Sequence, residues 1–388
     1  MPHFDTLPPL SLYVHFPWCV RKCPYCDFNS HPLAGNLPER EYIEALLADV
    51  ELDLPRIWGR RVQTVFFGGG TPSLFSPDAV AHLLDGLRAR LRLAPDAEIT
   101  LEANPGVSEV ERFVGYRAAG VNRISIGIQS FDNNKLAALG RIHGRDEALA
   151  AAQAARAAGF DNFNLDLMFG LPEQNRDEAL SDLRTALALE PAHLSLYQLT
   201  LEPNTPFYAR PPALPDDESV AIMQEVLAAE LTTQGFHQYE VSAWARPGRE
   251  CRHNRNYWEF GDYLGIGAGA HAKITDATGI QRLARRKQPQ EYLAHAGTPA
   301  AIAEDRRLSE ADCGFEFMLN ALRLTEGVPE SLFTERTGLP RAMIEGALSA
   351  AAGRGLLRIA NGMIQPTPLG LRFLNDLVAL FLPGTSNP

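Results

Sequence analysis

The chain has 388 residues, 45% of them hydrophobic and 21% charged, with 36 cations against 47 anions for a net charge of −11. Composition of this kind belongs to a folded globular chain of two to three domains at ~150 residues each; it excludes a disordered or fibrous protein, and the negative balance argues against nucleic acid as a partner. The cations are uneven, 32 Arg to 4 Lys, which reads as genome composition rather than function.

Met1 to Leu10 has neither a basic run nor a long apolar core, so no signal peptide is expected. No apolar stretch reaches the ~18 residues of a membrane span, and five cysteines are too few for a disulfide scaffold. A cytoplasmic location follows as the expectation. Short apolar runs then alternate with helical patterns. The expected strands are Leu12–Phe16, Val62–Phe67, Glu98–Glu102, Arg123–Ile128, Asn162–Met168 and His193–Leu199. Ser76-Pro77 reads as an N-cap with Pro at the first helical position, and Ser108 to Glu111 as a capping box. Gly120 and Gly159 each close an Ala-rich helix before a strand. Arg117-Ala-Ala-Gly120 returns 39 residues later as Arg156-Ala-Ala-Gly159, about one βα unit. Such alternation predicts a parallel sheet, open or curled into a barrel, with its chemistry at the C-terminal strand ends.

The alternation fades near Leu201. Arg210 to Pro215 reads as a stiff connector, Asp216 to Gln234 as a helix and Tyr239 to Trp244 as one further strand. From Ser309 short helices begin, and Gly353 to Ile364 has the look of a small β-wing. The expected division is a barrel over 1–210, an extension over 211–305 and a small α+β, winged-helix-like domain over 306–388.

Cys19, Cys23 and Cys26 form Cys-x-x-x-Cys-x-x-Cys just after the first strand. Random placement gives this spacing roughly once in 1000 trials. Three thiolates suit three irons of a [4Fe–4S] cluster, leaving one iron open to an outside ligand. The competing reading is a zinc site with His15 or His31 as fourth ligand, although no second Cys pair is present. Cys313 reads as a small hydrophobe packed in a helix.

With Tyr25 before its last cysteine, the triplet resembles the radical S-adenosylmethionine (SAM) signature. The resemblance covers most of the chain. It implies a partial (βα)6 barrel, a [4Fe–4S] cluster, an external electron donor and SAM chelated on the open iron. Further positions fit. Gly68-Gly69-Gly70-Thr71 ends the second strand, where bare backbone lets a ligand approach and its amides are free to bond a polar group. Glu102 ends the third strand, Gln129 ends the fourth, Arg141 lies twelve residues beyond, and Asp166 sits among leucines in the fifth, where an acid needs a partner or a task. Singly, each is as readily structural. The resemblance assigns Tyr13, Phe28, Gly69, Gly70, Thr71, Glu102, Gln129, Arg141 and Asp166 to SAM contact.

Two branches are open. Oxygen-independent coproporphyrinogen III oxidase carries a fourth cysteine where Phe28 stands and more than 18 residues before its first cluster cysteine. Both departures match the sister branch, the radical SAM haem chaperones. So does His253-Asn254-Arg255-Asn256-Tyr257-Trp258, a His-Asn-x-x-Tyr-Trp motif whose histidine that branch associates with haem. Imidazole suits haem iron and aromatic side chains cover a macrocycle, yet a histidine bonded within the core is the plain alternative. His271 and Cys251 are further haem-ligand candidates. The small residues Gly265 to Ala270 imply close approach to SAM, haem or a neighbouring strand. The expected function is haem binding and delivery to acceptor proteins, including those of a respiratory chain, with membrane-surface contact and a homodimer left open. Radical decarboxylation of coproporphyrinogen III is the alternative.

Overall fold

The computed structural model describes residues 2–106 and 109–384. The six expected strands are present as β1 (Leu10–Phe16), β2 (Arg61–Gly69), β3 (Arg92–Ala103), β4 (Arg123–Gln129), β5 (Phe163–Phe169) and β6 (His193–Gln198), each parallel to the next. Most side chains of β1, β4 and β5 are buried, the mark of strands covered on both faces. Their outer cover is the set of crossover helices, among them Glu39–Ile57, Pro77–Arg90, Arg145–Ala157 and Arg176–Ala188. Ser76 caps its helix as expected, its hydroxyl accepting the Ala79 N–H. Gly120 and Gly159 take the positive φ of helix-ending glycines, +111° and +84°. The capping box beginning at Ser108 lies outside the described residues. The architecture is a partial (βα)6 barrel.

The rest of the sheet forms its flanks. Tyr239 to Trp244 is two strands rather than the one expected: β7 (His237–Glu240) and β8 (Ala243–Ala245) pair antiparallel, and β8 continues the sheet beside β6. The turn between them is Val241-Ser242, held by the Ser242 N–H on the Glu240 carboxylate at 3.0 Å. It contains no Gly, Asn, Asp or Pro, and Ser242 is its one weak turn signal. At the other edge β9 (Asp262–Ile266) runs parallel to β1, and β10 (His271–Asp276), β11 (Gly279–Arg285) and β12 (Ile302–Arg307) follow as an antiparallel meander. Buried Asp262 ties this flank together, with Lys273 Nζ and Arg60 Nη1 each at 2.8 Å. Burial raises its pKa, yet the two cations hold its carboxyl below the usual range.

The small residues after β9 are explained by the chain itself. A Cβ on Gly267 would stand 2.4 Å from the His15 carbonyl, and one on Gly269 2.3 Å from Asn29 Nδ2. The bulky neighbour of these two glycines is the β1 strand and the loop after it.

The C-terminal part begins at Ser309, which caps Glu310–Ala321 in a capping box with Asp312. The wing is β14 (Leu357–Ala360) against β15 (Met363–Pro366), which also pairs with β13 (Val328–Pro329). Asn361 and Gly362 join the wing with φ of +54° and +74°, the two positive angles of a type I′ turn. A core of Phe317, Phe333, Leu348 and Leu377 closes it, with Cys313 buried inside as expected and Phe260 packed edge-on to Phe317 at 5.8 Å.

Candidate cluster and cofactor site

A cavity of about 550 Å³ opens at the C-terminal ends of β1 to β6. Cys19, Cys23 and Cys26 line it, as do Tyr13, Phe28, Gly69, Gly70, Thr71, Glu102, Gln129, Arg141, Asp166 and His253. Residues spread over 240 positions thus meet around one space because parallel strands end on one side.

The three cysteines are free and half-buried, and each sulfur has its own polar neighbour. Thr71 Oγ1 donates to Cys19 Sγ at 3.5 Å, Arg141 Nη1 to Cys23 Sγ at 3.7 Å, and Ser30 Oγ lies 3.7 Å from Cys26 Sγ. Asn104 joins two of these donors: its amide donates to Thr71 Oγ1 at 2.9 Å and its carbonyl accepts Arg141 Nη2 at 2.6 Å. Burial pushes the Cys19 and Cys26 thiols up, so iron must displace their protons on binding. Three thiols with donors aimed at their sulfurs fit a cluster that carries negative charge. The histidines of the zinc reading are engaged elsewhere. His15 has Tyr13 Oη on Nδ1 at 3.0 Å and the Asn29 carbonyl on Nε2 at 2.8 Å, while His31 Nε2 meets Asn29 Oδ1 at 3.2 Å.

The glycine turn works differently from expectation. The Gly69 N–H donates to Glu102 Oε2 at 3.1 Å, the Gly70 N–H to the Phe16 carbonyl at 2.6 Å and the Thr71 N–H to the Trp18 carbonyl at 2.8 Å. These amides are spent within the chain, and what the turn offers is room and an orientation for Glu102. Burial, then the nearby Asp166, raises Glu102 to about 8. Burial also raises Asp166, which finds Asn164 Nδ2 at 2.8 Å and Ser125 Oγ at 3.3 Å as partners. Gln129 sits at φ +70° on a bulge of β4, a conformation that costs a side-chain-bearing residue energy and is retained where geometry at a site requires it.

His253 is 1% exposed at the cavity floor. Its Nδ1 meets Thr64 Oγ1 at 2.7 Å and its Nε2 meets Tyr257 Oη at 3.0 Å, while the ring stacks on Phe66 at 4.9 Å. Burial, with Arg123 adding, lowers His253 to about 3, and the ring is neutral. Cys251 is fully buried beneath, its thiol 3.6 Å from Glu98 Oε1, and burial pushes it to about 12. It does not line the cavity, which removes it as a ligand candidate. His271 lines a neighbouring space.

Sequence reasoning passed over Asn104, Arg123, Ser30 and Thr64. Asn104 had one signal, an Asn-Pro pair at a strand end; the others gain their roles only through contacts between distant segments.

Strand ends gathered around three thiols at the mouth of a partial (βα)6 barrel define a radical SAM protein. The Radical SAM superfamily model matches residues 13–186 and the HemN C-terminal domain model residues 308–373. Heme chaperone HemW of Escherichia coli is 52% identical over 97% of this chain and 99% of its own length, and that of Haemophilus influenzae 48% over 97% and 98%. Among solved structures, coproporphyrinogen III oxidase (HemN) from Escherichia coli, a radical SAM enzyme, superposes with a TM-score of 0.82 at 25% identity, covering 97% of this chain and 91% of that one. The chain belongs to the HemW family.

Proposed function

We propose that this chain is a haem chaperone, which binds haem and hands it to acceptor proteins. The observation that carries this reading is end-to-end likeness at 52% identity to a protein named for that role, against 25% to the oxidase. Phe28 supports it: a 62% exposed ring stands where the oxidase branch has its fourth cysteine.

Cys19, Cys23 and Cys26 hold the [4Fe–4S] cluster, Glu102 accepts from the amino group of SAM, and Tyr13, Phe28, Gly69, Gly70, Thr71, Gln129, Arg141 and Asp166 wall the rest of that site. When bound, the cluster supplies an open iron for SAM and one electron, drawn from a separate donor. Residues 1–210 carry these groups, 211–305 form an extension with the haem-binding motif, and 306–388 a small winged-helix-like domain. The acceptors are haem proteins of the respiratory chain, met in the cytoplasm at the membrane surface, with the chaperone as a homodimer. Among the described residues no helix is long and apolar enough to cross a membrane.

The test is a pair of assays on anaerobically reconstituted protein. Haem titration should saturate stoichiometrically at the Soret band, and the loaded chain should pass haem to an apo-acceptor. Coproporphyrinogen III with SAM and a reductant should stay unconverted; sustained decarboxylation would overturn the reading in favour of the oxidase.

A further inference from the structure

A second cavity, of about 700 Å³, adjoins the first and shares Tyr13, Phe28, Glu102 and Tyr257 with it. Its size lies in the upper half of the ~300–1,000 Å³ typical of small-molecule sites. Phe28, Trp258 and Tyr263 give it apolar walls. Its charge is unusual for this chain. Only four lysines occur in 388 residues, and three of them, Lys22, Lys273 and Lys287, line this one space. Lys273 is consumed by Asp262 at 2.8 Å. Lys22 and Lys287 are exposed, and Lys22 bonds only a backbone carbonyl. His271 stands exposed on the same wall, and its ring has no hydrogen-bond partner among the described residues.

We propose that this cavity is the haem pocket, with His271 as the axial ligand to iron and Lys22 and Lys287 as partners of the propionates. The proposal rests on the chaperone reading above. Haem presents a flat apolar face, an iron that needs a lone pair on that face, and two carboxylates on one edge. The cavity offers aromatic walls, one imidazole without a hydrogen-bond partner and two exposed ammonium groups, beside the carboxyls of Asp27 and Glu102. His253, the motif histidine, is less suited. Its Nε2 is covered by Tyr257 and its Nδ1 by Thr64, so ligation through it would strand a buried hydroxyl without its partner. His253 instead acts as a positioning residue: it fixes Tyr257, whose ring meets Tyr263 edge-on at 4.5 Å and divides the two cavities.

The experiment is haem titration of the reconstituted full-length chain, read by Soret position and by electron paramagnetic resonance of the ferric form. His271→Ala should lose the imidazole signature and weaken binding about tenfold or more, with added imidazole restoring the signature. His271→Met should replace it with a thioether signature. His253→Ala should keep the imidazole signature. The Lys22→Ser/Lys287→Ser double variant should bind haem about tenfold more weakly yet bind haem dimethyl ester, which lacks the carboxylates, as the wild type does. An unchanged signature in His271→Ala and His271→Met, or its loss in His253→Ala alone, would overturn the proposal. Wild type that binds no haem at all would sink the chaperone reading itself, which is a different result from a wild type that binds through another residue.

Discussion

Around the three cysteines, polar side chains are bonded to one another. Asn104 links Thr71 to Arg141, these two reach Cys19 and Cys23, and Glu102 is held by the Gly69 amide. In the adjoining cavity the exposed groups, Lys22, Lys287 and His271, are nearly without protein partners. The contrast matches two kinds of occupant. A group that stays is served by side chains locked in advance, since nothing need be ordered when it binds. A cargo that must leave is served by a few solvent-facing contacts, which keep dissociation fast enough for transfer.

The sharpest way to break this comparison is to remove a sulfur. Cys23→Ala should take the iron content of the reconstituted chain from about four per chain to near zero while haem titration stays close to wild type. Loss of both together would mean that the cavities are one site. Next in size is Glu102→Gln, which keeps the shape but cannot ionise to face the SAM ammonium. Calorimetry should show SAM bound more weakly by ~1.5–3 kcal/mol, the weight of a charge-assisted hydrogen bond, with haem affinity unmoved.

Glu102 also gives the locked cavity a pH signature. Its folded-state pKa of about 8 stands above the ordinary 4.5. The folded chain therefore loses stability as pH climbs between those values, and the loss is complete above the upper one. Glu102→Gln abolishes that loss. In SAM-free protein the Tm difference, variant minus wild type, should grow from acid toward mildly alkaline pH and then level. A difference that stays flat across that range would show a carboxyl ionised throughout.

Asn104→Ala should act more gently, leaving the Thr71 hydroxyl and Arg141 guanidinium short of a partner for ~1–3 kcal/mol of stability. Slower cluster assembly would accompany it, read by the rise of iron–sulfur absorbance. The smallest effect is expected at Gln129. Gln129→Gly relieves the φ of +70° and should raise stability by ~1 kcal/mol or less, glycine's own chain entropy offsetting part of the relief. SAM affinity should fall in the same variant, strain and binding moving in opposite directions.

The locked cavity was far more legible in the sequence than the open one, for a physical reason. Cys19, Cys23 and Cys26 fall within eight consecutive residues, and Gly69, Glu102 and Gln129 close strands whose alternation is a local pattern. Parallel pairing then does the rest, bringing strand ends to one side. What the amides of Gly69, Gly70 and Thr71 bond was not legible, because their acceptors, Glu102, Phe16 and Trp18, belong to other strand ends. The Val241-Ser242 turn was missed because its determinant is a side chain, Glu240, and not a turn residue. Lys22 and Lys287 lie 265 positions apart and meet only because β9 docks beside β1. Composition counted the four lysines but could not show that three of them line one cavity.

That placement has a practical side. Lys135 is 8% exposed with its ammonium on the Pro172 and Glu173 carbonyls, and Lys273 is 1% exposed. Of the four lysines, an acylating reagent would therefore meet two on the folded surface, Lys22 and Lys287, both lining one cavity. Lysine labelling of the native protein is thereby confined to that cavity without any cysteine or tag being introduced. Acylation removes the two ammonium charges that would meet the propionates, so labelling the wild-type chain should weaken haem uptake as the Lys22→Ser/Lys287→Ser variant does, and haem bound beforehand should shield both amines from the reagent.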